Sequence, residues 1–253
     1  MLSASNVSGI DLVWSFPAGA GGEVPSSPAV ADGVVYVGSG DGSVYALNAA
    51  TGAKAWSFTT AEVVVSSPAV ADGVVYVGSD DNSVYALNAA TGAKIWSFTT
   101  GNTVESSPAV ADGVVYVGSN DGSVYALNAA KGTKIWSFTT GGEVSDSSPA
   151  VADGVIYIGS DDGSVYALNA ATGTKIWSFT TGGEVSSSPA VADGVIYIGS
   201  LDRNVYALNA ATGAKIWSFT TGGQVSDSSP AVADGVIYIG SGDGNVYSFG
   251  LAG

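Results

Sequence analysis

Between Ser66 and Thr100 the apolar residues fall in short runs that change side at every residue and are cut by glycine, aspartate and asparagine. A period of two predicts strands and leaves no helical stripe. The pattern places a first strand at about residues 67–71, closed by the pair Asp72-Gly73, a two-residue hairpin signal because both positions favour positive φ. A second strand follows at residues 74–79. Its alternation sets Val75 and Val77 on one face and Val74 and Tyr76 on the other, so both faces are apolar, as expected of a sheet held between two neighbours. The loop Asp80-Asp81-Asn82 leads to a third strand at 83–88, and residues 89–92 lead to a fourth at 94–100.

The same stretch recurs along the chain. The prolines that open it, Pro28, Pro68, Pro108, Pro149, Pro189 and Pro230, lie 40, 40, 41, 40 and 41 residues apart. A fixed period of that length marks a repeat architecture, and four antiparallel strands per unit make each unit a propeller blade. The second strand reads Val-Val-Tyr-Val in the first three units and Val-Ile-Tyr-Ile in the last three. Such near-identity points to amplification of one blade or to a consensus-style design.

The run from Ala86 to Trp96, Ala-Leu-Asn-Ala-Ala-Thr-Gly-Ala-Lys-Ile-Trp, resembles the tryptophan-docking motif A-x-D-x-x-T-G-x-x-x-W of propellers of the pyrroloquinoline quinone (PQQ) dehydrogenase type. Asn88, with Asn48, Asn128, Asn169 and Asn209, stands where that family has aspartate, and Lys131 replaces the threonine of the third unit. The resemblance implies that Trp14, Trp56, Trp96, Trp136, Trp177 and Trp217 are structural, each wedged against the next blade. It also raises a quinoprotein dehydrogenase activity. That activity is the least favoured reading, since the family's enzymes resemble larger rings with a calcium site, a catalytic aspartate and, in many, a vicinal cysteine pair. The family's non-enzymatic relatives, which scaffold protein assembly or sense unfolded chains, are the closer expectation.

The expected fold is all-β: a six-bladed β-propeller of four-stranded antiparallel blades, one domain over residues 1–253. The unit at 228–249 has three strands and no tryptophan, while Val13-Trp14-Ser15-Phe16 repeats the fourth strand and Gly22-Glu23-Val24 the loop that follows it. The N-terminal strand 12–16 is therefore predicted to complete the blade at 228–249 and remove an exposed edge. A ring shared between chains is the alternative. A monomer is expected.

Composition narrows the chemistry. With 46% hydrophobic and 11% charged residues the chain is neither disordered nor a solvated tail, and its 36 glycines suit many turns. It has no cysteine and no histidine, which removes disulfides, thiolate nucleophiles, imidazole bases and the usual zinc ligands. A net charge of −15 opposes nucleic acid and anionic membrane as partners. No apolar run is long enough to span a bilayer, and residues 1–6 lack both a basic start and an apolar stretch, so no signal peptide is read. The compartment is left open.

Placed on the predicted blade, the charges sort by rim. The rim made by the loops after the second and fourth strands collects fifteen acids against Arg203 alone. Among them are Asp80, Asp161, Asp146, Asp227 and five glutamates. The opposite rim carries seven aspartates against six lysines. Asp41, Asp81, Asp121, Asp162, Asp202 and Asp243 are the candidate metal ligands, since carboxylates converging at a pore could hold calcium. Their simpler role is to form turns and keep the chain soluble. No catalytic residue and no organic cofactor site is expected. A phosphate-cradling loop at Gly38-Ser39-Gly40-Asp41-Gly42 lacks the helix that such a loop needs. The adjacent acids Asp80 and Asp81 diverge on a turn and cannot face each other across a glycoside. The functional expectation is a non-enzymatic rigid scaffold with an unidentified protein as partner. The alternative is a cation- or small-polar-ligand-binding propeller that uses the acidic rim.

Overall fold

The computed structural model describes residues 10–19, 23–226 and 228–251. Gly22, residues 1–6 and Asp227, which the sequence reading singled out, lie outside them. The first blade comprises β1 (Ala29–Ala31), β2 (Val34–Gly38), β3 (Ser43–Asn48) and β4 (Lys54–Thr59). The second holds β5 (Ala69–Ala71), β6 (Val74–Ser79), β7 (Ser83–Asn88) and β8 (Lys94–Thr99). The third holds β9 (Ala109–Ala111), β10 (Val114–Ser119), β11 (Ser123–Asn128) and β12 (Lys134–Thr139). The fourth holds β13 (Ala150–Ala152), β14 (Val155–Gly159), β15 (Ser164–Asn169) and β16 (Lys175–Thr180). The fifth holds β17 (Ala190–Ala192), β18 (Val195–Gly199), β19 (Asn204–Asn209) and β20 (Lys215–Thr220). The sixth has three strands, β21 (Ala231–Ala233), β22 (Val236–Gly240) and β23 (Val246–Phe249).

Every sheet is antiparallel in chain order, and the described residues contain no helix. The chain is thus an all-β, six-bladed propeller. The Asp72-Gly73 turn adopts φ of 49° and 74°, the left-handed pair that its sequence predicted.

The two apolar faces of the second strands pack as their alternation requires. Val75 and Val77 join Trp56, Val44 and Val64 from the first blade, while Tyr76 joins Trp96, Val115 and Val117 on the other side. The core is therefore distributed as slabs between blades rather than gathered in one centre. The short first strands meet in succession, β1 with β5, β5 with β9, and onward to β21. Beside them runs a chain of serines. The Ser27 amide donates to Ser67 Oγ at 2.9 Å, and the same bond joins Ser67 to Ser107, Ser107 to Ser148, Ser148 to Ser188 and Ser188 to Ser229 at 2.9–3.0 Å.

Residues 10–18 enter no ladder, and the sixth sheet ends at β23. The fourth strand expected from residues 12–16 is consequently not paired to β23 here. Its anchor lies elsewhere: Trp14 and Phe16 pack on Tyr45, Leu47 and Val37 of the first blade. The serine chain likewise stops, with no bond between Ser229 and Ser27 among the described residues. Among the described residues the packing that joins successive first strands does not recur between β21 and β1, so the six blades trace an open arc.

Candidate functional site

Two kinds of repeated polar cluster organise the blades, one at the junctions and one on the acidic rim. At the four junctions from the first blade to the fifth, a tryptophan of the fourth strand reaches across to the next blade. Trp56 Nε1 donates to the Ala89 carbonyl at 2.8 Å, Trp96 to Ala129 at 2.8 Å, Trp136 to Ala170 at 2.9 Å and Trp177 to Ala210 at 2.9 Å. Trp14 does the same to Ala49 at 2.9 Å. The receiving loop is shaped for the ring. Gly92 has φ of 71°, and a Cβ there would lie 2.7 Å from Trp56. The asparagine that departs from the family motif does an acceptor's work, since Asn88 Oδ1 takes bonds from the amides of Ala90 and Thr91 and from the Thr91 hydroxyl. An amide oxygen can accept all three bonds that the family's carboxylate would take at that position. Lys131 keeps the backbone bond of this set through its own amide.

A tyrosine adds a second donor to the same carbonyl. The hydroxyls of Tyr36, Tyr76, Tyr116 and Tyr157 each donate to the next blade's alanine carbonyl at 3.2 Å. The junction between the fifth and sixth blades is different. Where the docking loop of other blades follows, the sixth reads Phe249-Gly250-Leu251, and Trp217 is 36% exposed with its ring on Phe249, centroids 4.9 Å apart. A cleft of about 470 Å³, lined among others by Tyr197, Ile216, Trp217, Ile237, Phe249 and Leu251, opens there.

On the rim, the structure places the six candidate aspartates one per blade. Each accepts a hydrogen bond on Oδ2 from the tyrosine four residues on: Asp41 from Tyr45, Asp81 from Tyr85, Asp121 from Tyr125, Asp162 from Tyr166, Asp202 from Tyr206 and Asp243 from Tyr247, at 2.5–2.7 Å. The same oxygen takes an amide of the preceding blade's last loop, from Ala61, Gly101, Gly141, Gly182 and Gly222 for the second to sixth blades, at 2.7–3.0 Å. Oδ1 in five of the six accepts the amide two residues on, as in Ser123 to Asp121 at 2.9 Å.

These carboxylates tie blade to blade, and among the described residues no group of three or more acids is gathered to hold a metal ion. Burial works against the charge of Asp162 and Asp202, but the bonds from Tyr166 and Tyr206 and the backbone amides outweigh it and hold both below the usual carboxylate range. The Tyr247 hydroxyl brings Asp243 down to about 2. Burial together with the Asp121 carboxylate pushes Tyr125 up to about 12. The sequence carried a signal for this clamp in the sixfold spacing Asp-x-x-x-Tyr across a turn.

The residue before the clamp aspartate behaves differently. Burial, then the charges of Glu105, Glu62 and Asp81, push Asp80 up to about 6. Its Oδ1 is buried without a partner, as are Asp81 Oδ1 and Asn120 Oδ1. Asp161, the equivalent in the fourth blade, is raised chiefly by burial and is held by the Ser145 hydroxyl.

Three solved structures share this architecture. The computationally designed Ika8 protein matches with a TM-score of 0.81 at 19% identity, over 89% of this chain and 70% of its own. BamB from Moraxella catarrhalis matches with a TM-score of 0.73 at 22% identity, over 91% of this chain and 77% of its own. The quinohemoprotein alcohol dehydrogenase ADHIIG from Pseudomonas putida HK5 matches with a TM-score of 0.71 at 20% identity, over 85% of this chain and half of its own. At these identities the likeness is one of fold. No curated protein matches the sequence. A family described as outer membrane protein assembly factor BamB matches residues 3–122, 63–160 and 120–253. With docking tryptophans at successive blade junctions and that match running through nearly the whole length, the chain belongs to this family of PQQ-like repeat propellers.

Proposed function

We propose that the protein is a non-enzymatic scaffold whose partner is another protein. The observation that carries this reading is the rim clamp: the six carboxylates that could have held a cation or moved a proton are each bonded to a tyrosine. A catalytic centre needs different groups converging on one reacting atom, whereas the blades repeat one arrangement around the arc. The surface left for recognition is the acidic rim, where Glu23, Glu62, Glu143 and Glu184 stand exposed. Such a field attracts cationic segments and shortens their search. The name of BamB describes that protein as an assembly factor, which is consistent with a protein-binding role for this chain.

The test is thermal unfolding in millimolar calcium, in excess EDTA and with PQQ. A ligand present at a hundred times its dissociation constant adds about 2.7 kcal/mol to the native state, a shift of several degrees. The scaffold reading expects coincident midpoints in all three. A calcium-dependent rise would instead favour the cation-binding alternative, and a rise with PQQ plus calcium a quinoprotein.

A further inference from the structure

The arc leaves two unlike surfaces uncovered, and they are the two halves of one blade junction. On the sixth blade Val246 is 79% exposed, whereas its counterparts Val44, Val84, Val124, Val165 and Val205 are fully buried. Tyr238 is 43% exposed and its hydroxyl has no hydrogen-bond partner among the described residues, while the equivalent Tyr36, Tyr76, Tyr116 and Tyr157 are 3–4% exposed and each donates to the next blade's alanine. On the first blade the Ala49 carbonyl receives Trp14 but no tyrosine, and Val30 is 67% exposed. Sheet β21–β23 lacks an outer strand. Residues 12–16 repeat the sequence of an outer strand and dock on the first blade without joining a sheet.

We propose that these halves meet between two copies of the chain, head to tail: residues 12–16 of a second copy add to the β23 edge, and the first blade of that copy covers Val246 and Tyr238. The register follows from the first blade, where Ala46 faces Trp56, Tyr45 faces Ser57 and Val44 faces Phe58. Ser248 then faces Trp14, Tyr247 faces Ser15 and Val246 faces Phe16 of the second copy, and the Tyr238 hydroxyl reaches that copy's Ala49 carbonyl. Strand addition satisfies the free edge through main-chain bonds.

A second copy is favoured over the chain's own N-terminal segment because in this structure Trp14 and Phe16 are already seated on the first blade while the sixth sheet ends at β23. The contact is heterologous, so it builds a closed assembly or a filament according to its rotation.

The chain has no cysteine, so two can be introduced cleanly. A Ser15→Cys chain is mixed with a differently tagged Tyr247→Cys chain and oxidised, and the double variant is oxidised alone at low micromolar concentration. The expected results are a covalent heterodimer in the mixture and multimers from the double variant. Sedimentation of the unmodified chain at higher concentration should give a mass above the monomer. Val246→Lys, at a side chain exposed in the single chain, should remove the cross-linked product without altering the circular dichroism spectrum. An intrachain disulfide in the double variant overturns the proposal in favour of a ring closed by its own N-terminal strand. A monomer with no cross-link, or cross-linking that persists with Val246→Lys, overturns it as well.

Discussion

Replacing Trp136 by alanine tests the junction as the unit of stability. The indole is 8% exposed, lies 5.9 Å from the Tyr116 ring centroid and occupies the space over Gly173 that a Cβ would fill. Its burial removes about 200 Å² of largely apolar surface from water, which at roughly 25 cal/mol per Å² is about 5 kcal/mol as an upper bound. Truncation also breaks the Nε1 bond to the Ala170 carbonyl. That carbonyl keeps the Tyr116 hydroxyl at 3.2 Å, so no buried acceptor is orphaned and no further penalty applies. The expected loss is about 3–5 kcal/mol.

The internal control is Trp217→Ala. That ring is 36% exposed and has no hydrogen bond from Nε1 among those described, so its removal should cost about 1–2 kcal/mol. Urea unfolding followed by far-ultraviolet circular dichroism reads both without relying on tryptophan emission. Because an array of repeats can lose one interface at a time, the first transition is the one to compare. Equal midpoints for the two variants, or a Trp136→Ala midpoint at the parent's value, would refute the assignment of the junction tryptophans as wedges.

The rim clamp predicts that Tyr125→Phe costs about 1.5–3 kcal/mol, since it removes a charge-assisted bond of 2.6 Å, measured by the same denaturation. An unchanged midpoint would return Asp121 to a simple turn role. For Asp80 the folded-state value of about 6 lies above that of a free carboxylate, so the stability held by its proton is fully present below about pH 4 and is lost as pH rises through 6. Asp80→Asn should therefore raise the melting temperature at pH 7.5 and leave it nearly unchanged at pH 4; the reverse order would show that the raised value is not a burden on the fold. Gly92→Ala should destabilise well beyond Gly73→Ala: both have positive φ, but only at Gly92 does the new Cβ meet a ring, and comparable losses would count against the wedge.

The blade was legible in the sequence because its determinants are local. Alternation fixed the two apolar faces of β6, Asp72-Gly73 fixed the hairpin, and the spacing of Gly92 and Trp96 marked the dock and the wedge. The clamp was hidden by a change of scale. Asp81 and Tyr85 were read separately, one as a turn former and the other as a strand residue, although their bond crosses the turn and ties in Ala61 from another blade. Closure was hidden for a different reason. Six tryptophans count six blades, but the angle between blades is set by many small contacts, such as Val64 packing with Val75 and Val77 of the next blade, and no pattern of apolar positions encodes that angle. A correct count of blades and a docked Trp14 are therefore compatible with an arc in which the outer edge of β23 remains unpaired.

Near-identical units turn each departure into a datum. In the loop after the second strand, the clamp position is aspartate in all six blades, and the bond to tyrosine explains why. The position before it reads Gly40, Asp80, Asn120, Asp161, Leu201 and Gly242. No clamp bond uses that side chain, so the blade tolerates anything from glycine to leucine there. It is also where the partnerless oxygens of Asp80 and Asn120 lie, close to Glu105, whose carboxylate accepts from the Asn120 amide at 3.0 Å. The fold requires the clamp and leaves its neighbours free to vary, so discrimination between one blade and the next on this rim comes from that position together with the one after the clamp, which reads Gly42, Asn82, Gly122, Gly163, Arg203 and Gly244. A scaffold that binds an extended partner needs such inequality, because six equal blades would accept it in any register.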